Sequence, residues 1–397
     1  MEKIKFKNGL RVIHQKNNSN LVTINIAVIV GSINETNKTK GISHFIEHML
    51  FEGTKNRSAE KITAEIEQFG GEINAYTSNE KTNYYIKIHK KHFEKSLEIL
   101  SDMIINPSFD TMAIKKEKGV VLEEINMDND EPKNYQWTLF QKSLFTKSFG
   151  YEIYGTKETL LSLSKKQLEN FHKKFYTPNN IIITIVGDIK NHKNLIKKYF
   201  KFNNKSIIKK RILCKAVKSQ QIIKEKKKNI SLNYLIIGYN TSSRLKRESY
   251  ILDIIQSILS KGQSGRLFVE IRTKRGLTYS VGICHHSAPQ YGFFAFYTSA
   301  EKSKIEIIEK IYFEELNKLT NVKTKDINDA KSYIEGQLAL RDEDSQDLAD
   351  SISLFEECGN LNKFKTYIKE IKSITKEEII TMSKKLINSN YTKVLLH

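Results

Sequence analysis

Residues 44–53, HFIEHMLFEG, return 209 positions later as residues 253–262, DIIQSILSKG. The apolar framework is kept while the polar residues change: His44, Glu47 and His48 become Asp253, Gln256 and Ser257. At the same offset TNYYIKIHKKHFEKSLEIL (82–100) falls on YGFFAFYTSAEKSKIEIIE (291–309). In both copies an alternating aromatic strand runs into a segment with apolar residues at helical spacing. Upstream, TINIAVIVGS (23–32) matches SLNYLIIGYN (231–240) as a strand. Downstream, 162–186 and 374–396 each show a Ser or Thr cap, an amphipathic helix, a turn and a β-branched strand. The chain is written twice. The fold class expected is α+β, with two homologous α/β halves, each a mainly antiparallel sheet with helices packed on one face, closing as a clamshell. The halves read as 1–207 and 226–397, joined by a basic connector over 208–225.

Working outward, the 397 residues are 39% hydrophobic and 28% charged, enough apolar material for packed cores and incompatible with wholesale disorder. No run approaches 18 apolar residues, so no transmembrane helix and no membrane insertion are expected. The opening MEKIKFKNGLRVIHQ alternates like a strand and has no apolar targeting core, which favours a cytoplasmic protein. Cys214, Cys284 and Cys358 are scattered, and read as free thiols in a reducing compartment. The net charge of +20 rests on 65 Lys and Arg, of which only 9 are Arg, spread along the whole chain. Nucleic-acid readers lean on Arg, so no dedicated nucleic-acid partner is expected.

The exchange between copies isolates the chemistry, because residues lost from the second copy are not needed to build the helix. GISHFIEHMLFEG (41–53) reads as a helix with Ser43 as its cap. His44 and His48, at i and i+4, project from one face and can share a zinc ion. Glu47 lies on the same side, placed to reach a metal-bound water rather than to complete the ligand set. The order H-x-x-E-H is the inverse of the commoner H-E-x-x-H. A catalytic zinc needs a third protein ligand and an open fourth position. On a second predicted helix Glu117 and Glu124 stand two turns apart on one face, with Glu123 rotated away by about 100°. Glu124 reads as the ligand, Glu117 as an acid behind the ligands that orients them, and Glu123 as a solvated helix charge. Adjacent His285 and His286 point to opposite faces of a strand and receive structural roles. Met127, Tyr84, Phe93, Phe171 and Phe175 read as core.

With these residues the chain resembles the pitrilysin or insulinase-like family of zinc metallopeptidases, in which H-x-x-E-H is followed by a zinc-binding Glu; here 75 residues separate His48 from Glu124. The resemblance continues through GGEINAYTSNEKTNYY (70–85), EKGVVLEEINMDNDEP (117–132) and GRLFVEIRTKRGLTYSV (265–281), and covers essentially the whole chain. Its length is similar to that of the short-chain branch, which includes mitochondrial processing peptidase subunits and prokaryotic relatives. The resemblance implies one Zn²⁺ per chain, a homodimer, and a peptide docked by strand addition on 70–78, with Asn74 near the scissile bond and Ala75 leaving room for close approach. It also implies that Arg272 and Tyr279 meet the substrate, Tyr279 as a donor to the developing oxyanion. Read without the resemblance, Arg272 is an exposed ion-pairing residue and Tyr279 a half-buried aromatic.

The function this implies is that of a zinc-dependent metalloendopeptidase hydrolysing internal bonds of short or unfolded polypeptides, with Glu47 as general base and acid. The alternative is a non-catalytic structural or substrate-presenting subunit of the same family.

Overall fold

The computed structural model describes residues 1–202 and 216–397. Six strands form the first sheet: β1 (Glu2–Lys5), β2 (Arg11–Gln15), β3 (Leu21–Val28), β4 (Glu72–Thr77), β5 (Thr82–His89) and β6 (Ile181–Val186). Their order is β1-β2-β6-β3-β5-β4, antiparallel except where β2 meets β6. The second sheet takes β7 (Gln221–Glu225), β8 (Asn233–Thr241), β9 (Ser280–Ser287), β10 (Gly292–Ala300) and β11 (Thr392–Leu396) in the order β7-β11-β8-β10-β9. Here too one pair is parallel, β7 with β11. Strand for strand this is β2-β6-β3-β5-β4 again, so the duplication read in the sequence is a duplication of topology, and the expected α+β class with two mainly antiparallel sheets holds.

Helices α1 (Ile42–Phe51), α2 (Ala59–Glu67), α3 (Phe93–Ile105) and α4 (Thr111–Asp130) follow in the first copy, and α5 (Pro132–Leu144) after them. Phe45, Ile46, Met49 and Leu50 of α1 enter a core with Leu97, Leu100 and Met103 of α3 and the inward residues of β3, β5 and β6. Every residue of β6, IIITIV, is buried. That requires cover on both faces of the sheet, and the second face is covered from far along the chain. The helix Ser345–Glu357 lies against β3, β5 and β6. The exchange is reciprocal, because α5 packs on β8 and β11 of the second sheet.

The two exchanged helices dock by different physics. On the second sheet Trp137 and Phe140 meet Phe293, and Trp137 also meets Tyr297. Gly238 of β8 makes room, since a Cβ there would lie 2.4 Å from the Phe140 ring. On the first sheet Ala349 and Ile352 are fully buried, and polar contacts surround them. Asp350 accepts from Tyr76 Oη at 2.8 Å and Asn25 Nδ2 at 3.2 Å, and Thr23 Oγ1 bonds Ser345 Oγ at 2.7 Å. Lys81 pairs with Glu357 at 3.1 Å, and Lys3 and Arg11 flank Glu356 at 2.7 and 3.7 Å.

The compact units therefore depart from the contiguous halves expected from the repeat. Among the described residues one unit comprises 1–127, 151–202 and 342–357, and the other 128–150, 216–341 and 358–397. The expected connector also changes. Its last residues form β7, the counterpart of β2, while 208–215, with Cys214, fall outside the described residues. Cys284 is a free thiol. Tyr84 and Phe93 are buried, and Phe171 and Phe175 pack at the core margin. Met127 is corrected: it is 71% exposed. The inward face of α4 runs through Ile114, Glu117, Val121 and Ile125, and Met127 is turned about 200° from Ile125. No described helix is long and apolar enough to cross a membrane.

Candidate metal centre

Helix α1 begins two residues earlier than a Ser43 cap requires. Its N-cap is Gly41 at φ 85°, and Ser43 lies within the first turn. Gly41 also meets a close approach, because a Cβ there would stand 2.4 Å from the carbonyl oxygen of Tyr154. With glycine at the cap no side chain is present to take the free amide groups, and Glu35 supplies the acceptor from outside. Its carboxyl group accepts from Gly41 N at 2.7 Å and Ser43 N at 2.9 Å; burial raises it to about 7, against these two hydrogen bonds and the helix dipole, which favour the charged form.

This fixes the turn that carries His44. His44 and His48 bring their Nε2 atoms to 3.2 Å, and Glu124 Oε2 of α4 lies 3.7 Å from the first and 3.4 Å from the second. Behind them His48 Nδ1 donates to Glu117 Oε1 at 2.8 Å, which leaves the lone pair on Nε2, facing the other two atoms. Glu124 Oε2 has no hydrogen-bond donor although it is buried. Two imidazole nitrogens and a carboxylate oxygen thus converge on one point, an arrangement held together either by protons on the rings or by a shared metal ion. Around a tetrahedral zinc with bonds of about 2.0 to 2.2 Å, neighbouring ligand atoms stand about 3.3 to 3.6 Å apart. The observed edges bracket that range, so the donor set fits zinc.

Burial pushes the His44 imidazole down to about 3, with His48 adding to the effect. Burial opposes charge on His48 too, but Glu117 and Glu124 outweigh it and raise that ring to about 10. Glu124 is held below the usual carboxylate range, chiefly by its contact with His48. Glu47 is buried one turn from His44, and burial raises it to about 7 against a 2.5 Å hydrogen bond from Thr77 Oγ1.

Glu123 is exposed, as read. Asn74 and Ala75 lie on β4, which among the described residues pairs only with β5 and so forms one edge of its sheet. Ala75 and Thr77 face α1, whereas Asn74 shares the opposite face with Tyr76 and accepts its neighbour's amide at 2.7 Å. Three contributors escape a reading of the sequence: Thr77, Glu35 and Tyr154, whose ring meets His44 edge-on at 4.7 Å. Strand parity alone would have found Thr77, two residues beyond Ala75.

In the second unit, Arg272 lies over the Tyr279 ring at 5.0 Å and over Phe268 at 4.8 Å. Tyr279 is 88% exposed and is no core aromatic. Asp253, at the repeat position of His44, is buried beneath Arg244 (2.5 Å), His285 Nδ1 (2.8 Å) and Tyr367 Oη (2.9 Å). Burial alone would raise its carboxyl, but Arg244 and His285 hold it well below the usual range. An ion pair has replaced the first copy's ligand cluster. His286 packs on Phe293 and bonds Tyr291, so both adjacent histidines take structural roles.

Comparison with known proteins agrees with this geometry. Residues 11–157 match the family described as insulinase (peptidase family M16), and 162–333 match the peptidase M16 inactive domain. A Bacillus subtilis protein described as an uncharacterized zinc protease is 30% identical over 98% of this chain and 96% of its own. A Rickettsia felis protein of like description is 30% identical over 99% and 96%. In fold, the chain superposes on the crystal structure of a protease from Helicobacter pylori with TM-score 0.91 at 22% identity, covering 100% of this chain and 98% of that one. A Pseudomonas fluorescens structure described as a peptidase M16 inactive domain gives 0.89 at 17% identity, covering 100% and 97%.

Proposed function

The chain belongs to the insulinase (M16) peptidase family, and from that premise we propose that it is a zinc metalloendopeptidase acting on short or unfolded polypeptides. The observation that carries the proposal is the meeting of His44, His48 and Glu124 at zinc-ligand separations, with Glu47 beside them. Zinc held by His44, His48 and Glu124 would supply Lewis-acid polarisation of the peptide carbonyl and would lower the pKa of an attacking water. Glu47 takes the proton of the attacking water and delivers it to the leaving amine. Thr77 keeps the Glu47 carboxylate aimed, and Glu117 keeps the His48 lone pair on Nε2.

The open edge of β4 suits an extended peptide, held by main-chain hydrogen bonds with loose sequence selectivity. Thr77 of that strand touches Glu47, so a peptide paired along Asn74 and Ala75 runs beside the ligands. Arg272 and Tyr279 are proposed to meet the substrate, Tyr279 donating to the carbonyl oxygen as charge develops. The exposure of Tyr279, with the Arg272 guanidinium stacked on its ring, supports this reading.

Chelation tests it. Cleavage of an unstructured peptide is expected to stop on treatment with a strong chelator and to return with added Zn²⁺. A His48→Ala variant is expected to bind no zinc at this site and to show no cleavage. Undiminished cleavage by the chelated protein or by that variant overturns the proposal.

A further inference from the structure

At the other edge of the same sheet, among the described residues, a second group of two histidines and a glutamate comes together. Glu2 of β1 and His14 of β2 are direct cross-strand partners. His192 opens the helix His192–Tyr199, and its ring lies 4.3 Å from that of His14. One nitrogen of each ring and one Glu2 oxygen lie within 4.8 Å of one another.

The hydrogen bonds decide which nitrogens carry the lone pairs. His14 Nε2 lies 2.8 Å from the carbonyl oxygen of Gly187, an acceptor, so Nε2 carries the proton and Nδ1 the lone pair. His192 Nδ1 lies 3.4 Å from the carbonyl oxygen of Ile189, which leaves the lone pair on Nε2. A single loop after β6 thus orients both imidazoles through backbone carbonyls, the arrangement that fixes metal-ligating histidines. His192 Nε2 is buried, has no hydrogen-bond partner, and stands 3.5 Å from Glu2 Oε2. A lone pair aimed at a carboxylate oxygen is repulsive unless a proton or a metal ion lies between them. The separation matches one edge of a tetrahedral zinc site, about 3.4 Å.

We propose that Glu2, His14 and His192 form a second divalent transition-metal site, beyond the single zinc expected for the chain. Two imidazoles and one carboxylate suit zinc or its neighbours rather than magnesium or calcium. The Glu2 side chain is 58% exposed, so the site opens to water and fills from solution. An ion there ties the outermost strand of the sheet to the start of the helix His192–Tyr199. The inference stands apart from the peptidase reading, since none of these residues belongs to the first cluster.

The test is a Zn²⁺ titration of the full-length, tag-free protein whose first site is already loaded, followed by calorimetry and elemental analysis. Wild type is expected to take up a second equivalent and to gain thermal stability with it. Glu2→Gln is expected to weaken the second equivalent by more than about tenfold, the loss that even an outer partner of a metal ligand causes. His14→Gln is expected to abolish it. Because Glu2 is exposed, Glu2→Gln keeps the fold and decides the matter even if His14→Gln does not. Saturation at one equivalent, or a second equivalent of unchanged affinity in Glu2→Gln, overturns the proposal; the former shows that His192 and Glu2 share only a proton.

Discussion

Single residues divide here into those legible in the chain and those assembled only by folding. His44, Glu47 and His48 are legible because helical spacing alone puts them on one side, and Glu124 because two turns separate it from Glu117. Thr77, Glu35 and Tyr154 come from a strand and two loops, and no local period connects them to α1. They have consequences that can be measured. Glu117→Gln removes the negative charge that holds and polarises His48, and zinc affinity is expected to fall about 10- to 100-fold in a competition titration. Thr77→Val removes a donor that favours the charged form of Glu47, so the proton affinity of Glu47 rises. A general base works only when deprotonated. The acid limb of the pH–rate profile is therefore expected to move to higher pH, and an unmoved limb would show that Thr77 does not act through Glu47.

Among the elements, strand order and the duplicated helices follow from periodicity, while the exchanged helices do not. Ser345–Glu357 carries Asp347, Asp350, Glu356 and Glu357 beside Ala349, Ile352 and Phe355, so an amphipathic period is present in the chain but the sheet it covers is not legible there. Ala349 and Ile352 are fully buried, and around them the sheet presents Thr23, Asn25, Lys81 and Asn83, buried or half-buried. No local pattern connects this helix to β3 and β6, which lie far earlier in the chain. Hydrogen bonds join the apolar contacts, and they are costly to leave half made. Asp350→Ala strips the acceptor from Asn25 and Tyr76, and on the order of 3 kcal/mol of local stability is expected to be lost. Hydrogen exchange checks this. Amides of 345–357 are expected to exchange faster than in wild type, while those of α5, held by aromatic contacts, are unchanged.

For the whole molecule, one duplication has produced two chemically unlike copies. The first keeps His44, Glu47 and His48; the second has Asp253 locked beneath Arg244, His285 and Tyr367. Topology survived in both, because the apolar framework that builds the sheets and helices was retained while the polar residues diverged. Each unit also depends on a helix drawn from the other half of the chain, which makes the intact chain the folding unit. The central claim is that the surviving cluster performs peptide hydrolysis. The most direct measurement compares wild type with Glu47→Gln on a mixture of unstructured peptides, reading new termini by mass spectrometry and zinc content in parallel. The account predicts that both proteins bind zinc at the first site, and that only wild type cleaves, with Glu47→Gln slower by at least about 10². Zinc bound by both with cleavage by neither, or equal cleavage by both, would contradict it; the former would leave a substrate-presenting member of the family.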